Sequence, residues 1–135
     1  MSETTVETAI VTLLKQTPVI WNEVNSRITP QERDKDGSFP AIVYSGSLPQ
    51  RTKYLDGGYT DIGTVEMGFE VWATTWMKAK ILAANVTAVL ASYTGTIDGQ
   101  TIMDISIEPG QEDADPDGNV YVVEFVATIT CKFAA

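Results

Sequence analysis

Histidine is absent from this chain, and cysteine occurs once, as Cys131. Without an imidazole the commonest general base and metal ligand is missing, and no Ser-His-Asp triad can form. With one thiol no disulfide can close within the chain, so stability has to come from a packed core. Basic residues are scarce as well: nine against eighteen acidic ones leave a net charge of −9. Binding nucleic acid through its phosphates needs a basic footprint, which such a monomer does not offer. Long apolar runs are missing; stretches such as Ala41–Tyr44 fall far short of the ~20 residues that cross a bilayer. Glu3 and Glu7 with no basic start argue against a secretory signal. No serine sits in a G-x-S-x-G elbow, no zinc spacing occurs, and the glycines are scattered as turn residues.

What remains is the composition of an ordinary globular domain: 135 residues, 44% apolar and 20% charged. A single domain over 1–135 is expected, with a radius of gyration of roughly 14 Å. Its acidity is local. From Thr96 to Ala135 eight carboxylates stand against one lysine, a charge of −7.

The clearest pattern closes the chain. From Val120 onward Tyr121, Val123, Phe125, Ala127, Ile129, Cys131 and Phe133 alternate with Glu124, Thr128, Thr130 and Lys132. A period of two sustained this long predicts a strand with one face on a core. Cys131 falls on that inward face and reads as a small hydrophobe. Residues 3–16 show the other period: Val6, Ala9, Ile10, Leu13 and Leu14 form one helical stripe, with Ser2 as a possible cap and Pro18 as a stop. A second helix is predicted over 76–93, capped by Thr74 or Thr75, with Ala79, Leu82, Ala83, Val86, Val89, Leu90 and Tyr93 inward.

Between these lie strands predicted at 41–48, at 64–74 and around Met103, Ile105 and Ile107, with a turn at Asp98-Gly99. Residues 27–40, 49–63 and 109–119 read as connections rich in turn residues or charge. The expected fold is α+β, in the order α-β-β-α-β-β. It is a four-stranded, mainly antiparallel sheet with two helices on one face.

One motif has a chemical reading. Asp113-Ala114-Asp115-Pro116-Asp117-Gly118, five residues, then Glu124 satisfies the calcium-loop pattern. Both flanks read as strands instead of helices, and extended geometry carries Glu124 over ~20 Å from Asp117. A hairpin turn accounts for the same residues. Neither a metal nor any other cofactor is expected.

The ordered series Arg27-Ile28-Thr29-Pro30, Phe39-Pro40-Ala41-Ile42-Val43-Tyr44 and Phe69-Glu70-Val71-Trp72-Ala73 resembles the tail completion, or tail terminator, proteins of long-tailed phages. The ending Asp115-Pro116-Asp117-Gly118-Asn119-Val120-Tyr121 is similar to that family's closing hairpin, and the charged segment 31–38 departs from its pattern. The resemblance implies a virion protein of the tail or neck, assembled in the host cytoplasm and without enzymatic turnover. Its subunits would form a ring, typically a hexamer, that caps the tail tube and meets the head connector or stopper. DNA would pass through without specific binding, and no membrane is involved. Tyr54, Leu55, Tyr59, Ile62 and Trp72 are candidates for assembly contacts, because aromatic groups favour interfaces. Glu112, Asp113, Asp115 and Asp117 are candidates for an acidic channel or loop surface. Another neck or baseplate adaptor is the alternative, and a calcium-binding interaction module a further one.

Overall fold

The computed structural model describes residues 5–24, 27–30, 39–46, 50–53, 59–97, 99–115 and 120–132, with the backbone alone for 50–53, 59–61 and 115. The elements are α1 (Val6–Lys15), α2 (Pro18–Val24), β1 (Ile28–Pro30), β2 (Ala41–Gly46), β3 (Gln50–Lys53), β4 (Tyr59–Ala73), α3 (Trp76–Ala91), β5 (Gly95–Ile97), β6 (Gln100–Asp115) and β7 (Val120–Lys132). Six strands form a curled sheet in the order β1-β2-β4-β7-β6-β5, and β3 joins as a seventh against the first part of β4. Among the described pairings β1–β2 alone is parallel; the others are antiparallel.

This overturns the four-stranded sheet with two helices. Pro18 does stop α1, but it also opens α2, where a missing N–H costs nothing at the first helical position. The 27–40 connection contains β1, held to β2 by backbone pairing. The 49–63 loop yields β3 and the start of β4. The expected acidic loop after Glu108 is strand as far as Asp115, because β7 pairs with it beyond an irregularity between Pro109 and Glu112. Tyr54, Leu55, Asp117 and Phe133 lie outside the described residues, as does Ser2, the expected cap. Thr5 caps α1 instead: Thr8 N donates to Thr5 Oγ1 at 3.2 Å and Thr5 N to Thr8 Oγ1 at 2.8 Å.

Periodicity places the core. On β4, Val65, Met67, Phe69, Val71 and Ala73 are buried; on β7, Val123, Phe125, Ala127, Ile129 and Cys131 are. All point to the side that carries the helices, where they meet Ile10 and Leu14 of α1, Ile20 and Val24 of α2, and Leu82, Val86 and Leu90 of α3. Each Val, Leu, Ile, Met or Phe among them contributes about 1.5–3 kcal/mol by leaving water. Phe69 and Phe125, opposite each other on neighbouring strands, stack with ring centroids 5.0 Å apart. Burial raises the pKa of the Cys131 thiol, with the charge of Glu7 adding to the effect. The thiol is inert packing.

Arg27 ties the small elements together. Its Nε donates to the Pro40 carbonyl at 2.8 Å, and its Nη2 to the Glu23 carbonyl at 2.9 Å. The end of α2 is thereby fixed to the entry of β2.

Candidate assembly interface

The sheet has two unlike faces. One is covered by the helices. On the other, β4 presents Glu66, Glu70 and Trp72 while β7 presents Glu124, Thr128 and Thr130. The β6–β7 register sets Asp104 opposite Thr130, Glu108 opposite Val126 and Asp113 opposite Val122, adding three carboxylates to this face. Among the described residues the cation found with them is Lys132, at the end of β7. Among the described residues six carboxylates, Glu66, Glu70, Asp104, Glu108, Asp113 and Glu124, thus share the helix-free face, all of them on strands.

The sequence-predicted acidic group divides. Glu112, paired with Val123, turns to the helix side, where Trp76 Nε1 donates to its Oε1 at 2.8 Å and Lys80 Nζ meets its Oε2 at 2.6 Å. The Lys80 hydrogen bond, then that of Trp76, holds the Glu112 carboxyl below its ordinary pKa. Glu112 thus fastens the first turns of α3 to β6. Asp113 belongs to the acidic face, and Asp115 stands opposite Val120. No group of carboxylates and thiol among the described residues is placed to hold a metal ion.

The predicted assembly residues do not form one patch. Tyr59 opens β4 opposite Lys53, and Ile62 pairs with Lys132. Trp72 lies ten residues beyond Ile62 on the same strand, roughly 33 Å away. It is partly buried, and its Nε1 donates to Glu70 Oε1 at 3.1 Å.

Two features escaped the sequence reading. Val19 of α2 and Met77 and Ile81 of α3 are exposed large apolar groups, and Trp76, though bonded to Glu112, is half-exposed beside them. Val19 and Ile81 also line a groove between α2 and α3, together with Pro40 and Leu82. The signal was available: α3 is apolar around most of its circumference, which a helix covered on one side does not require. The second feature is the outer edge of β6. β5 pairs with β6 only at Gln100, Thr101 and Ile102, so the edge from Met103 onward has no neighbouring strand among the described residues.

A family model described as "Tail completion protein gp17" matches residues 8–130. Among solved structures, a chain of one titled "Virion of native gene transfer agent (GTA) particle" superposes with a TM-score of 0.71. The match covers 94% of each chain at 12% identity, so the likeness is one of fold. No curated protein matches the sequence. With the family model spanning nearly all of the described elements, the chain belongs to the phage tail completion protein gp17 family, structural proteins of the virion tail.

Proposed function

We propose that this protein is the tail terminator subunit of its virion. Copies of it close into a ring, a hexamer, that caps the finished tail tube and joins it to the head connector or stopper. It acts by stoichiometric assembly, without turnover and without a cofactor. The observation that carries this reading is the division of the sheet into a helix-covered face and an acidic one. A subunit of ~14 Å radius of gyration is too small to enclose a DNA duplex alone, so a channel needs several copies in cyclic symmetry.

In that ring the helix-free face lines the channel. Glu66, Glu70, Asp104, Glu108 and Glu124 then repel phosphates, and DNA slides past without adhering. This assigns the channel wall to the strands, with Asp113 retained from the sequence-predicted group and Glu112 engaged elsewhere. The helices face outward, and the apolar groups of α2 and α3 are available to other components of the neck.

A reconstruction of the purified protein bound to tail tubes tests the reading. The expected result is a ring at the head-proximal end, with these carboxylates on the channel surface. A ring whose channel wall is formed by the helices would contradict it.

A further inference from the structure

We propose that helix α3 pairs antiparallel with α3 of a second copy, so that two subunits cover each other's exposed apolar stripe across a two-fold axis. The pairing stands apart from the ring reading above. It uses the outer face of the helices and leaves the sheet edges and the acidic face open.

The pattern of α3 fits another helix. Its buried set is Ala79, Leu82, Ala83, Val86 and Leu90. At 100° per residue the opposite pole carries Met77, Ile81, Ala84, Ala88 and Ala91, all exposed. Met77 is 57% exposed and Ile81 55%. Steps of four, three, four and three residues give the 3.5-residue repeat by which one helix keeps a seam on another. No polar residue interrupts this stripe over ~21 Å of helix. The fold of the single subunit gives such a water-facing apolar pole nothing to cover it.

Shape selects a second copy as the occupant. The large residues, Met77 and Ile81, fill the first half of the stripe and three alanines the second. Run antiparallel about Ala84, two such helices set Met77 against Ala91 and Ile81 against Ala88, with Ala84 meeting its own copy on the axis. Large side chains then face small ones in the outer layers, the arrangement that fills space without voids. Alanines at the crossing let the axes approach to about 8 Å. A parallel pair would stack methionine on methionine at one end and alanine on alanine at the other, and the helices would splay.

Charge agrees with this choice. Lys78, Asn85 and Ser92 flank the stripe on one side, Lys80 and Thr87 on the other, the positions that set orientation in paired helices. In the antiparallel pair Lys80 faces Thr87 of the second copy, and Lys78 faces Asn85 and Ser92. A parallel pair would gather four lysines at one end. The six carboxylates of each helix-free face point away from the contact, so the acidic surfaces of the two copies stay far apart.

Area sets the strength. A stripe ~21 Å long and ~10 Å wide buries about 400 Å² over the two copies, against roughly 1,000 Å² for a lasting interface. Val19 of α2, which lines a groove with Ile81, widens the contact. The pair is therefore reversible, covering the stripe among free subunits and releasing it for docking.

Single cysteines in the full-length protein test this, since Cys131 is buried and does not compete. Under mild oxidation Ala84→Cys is expected to give a covalent dimer by itself, because the two-fold axis passes beside it. Met77→Cys and Ala91→Cys are each expected to stay uncrosslinked alone, their copies lying ~21 Å apart, and to form a heterodimer when mixed. Ile81→Glu, at a position the core does not use, is expected to keep its circular dichroism spectrum. It should weaken dimerisation in sedimentation equilibrium by about tenfold or more. Met77→Cys that crosslinks to itself as readily as to Ala91→Cys would overturn the antiparallel arrangement. An Ala84→Cys protein that gives no dimer at any concentration would overturn the pairing. Ile81→Glu that associates undiminished but no longer joins heads would also overturn it, and would assign the stripe to another component of the neck.

Discussion

Glu70 and Glu124 stand directly opposite each other in the β4–β7 ladder, two carboxylates on the face away from the helices. Trp72 donates to one of them, Glu70, at 3.1 Å. Like charges placed this way cost about 0.2–1 kcal/mol relative to a neutral pair. A cost borne in the middle of the sheet fits a surface whose negative charge serves something other than stability. Glu124→Gln should therefore stabilise the isolated subunit by ~0.5 kcal/mol. Urea unfolding at low and high salt checks this, with the gain expected to shrink as salt screens the pair.

Arg27 holds two carbonyls, of Pro40 and Glu23, from a partly buried position. Removing it leaves the part-buried Pro40 carbonyl without this donor, hands the exposed Glu23 carbonyl to water, and frees the end of α2 from β2. Arg27→Ala should destabilise by about 1.5–3 kcal/mol, the range for hydrogen bonds to a charged group. Arg27→Lys should recover only part, since an ammonium cannot reproduce the geometry of the guanidinium fork. Thermal unfolding of the two variants gives the comparison.

Glu112 links stability to pH. Its folded pKa lies below the ordinary value, first through the Lys80 hydrogen bond and then through that of Trp76. A depressed carboxylate stabilises the fold above its unfolded pKa, and the contribution is lost as pH falls through the folded value. Glu112→Gln should thus be the less stable protein at neutral pH and converge with wild type in acid. Because the side chain is solvent-exposed the difference is small, and Trp76 fluorescence followed against pH in both proteins is the sensitive readout.

Gly110 sits at the irregularity in β6, where a Cβ would come within 2.8 Å of the Glu124 carbonyl oxygen. That atom is backbone, and the strand it belongs to is paired on both sides, so relief requires the ladder to shift. Gly110→Ala should destabilise by about 1–3 kcal/mol, the range for overpacking. It should also loosen the Glu112 contact with α3. Amide exchange across β6 and β7 would locate the change.

What the sequence disclosed follows from how each element is buried. The stripe of α1, the inward set of α3 and the alternation of β7 were legible because each has one wet side and one dry side. β6 was legible only as far as Glu108. Beyond it Pro109, Gly110 and four acids or amides have no apolar alternation, and the strand exists there because β7 supplies the pairing. β1 was hidden for the same reason: three residues become a strand by lying parallel to β2, a long-range contact that no local pattern records. The Gly57-Gly58 punctuation drew Tyr59 and Ile62 into a loop, although the ladder continues through them. At the candidate site, the acidity of the last forty residues was visible from the sequence. Its partition between the helix-free face and Glu112 required the register.

The central claim is that this protein ends the tail tube as a ring, and tube length measures it most directly. Tubes assembled with the protein should be uniform in electron micrographs and carry a capped end competent to join heads. Tubes assembled without it should be overlong and headless. Identical length distributions and equal head joining in its presence and absence would contradict the account.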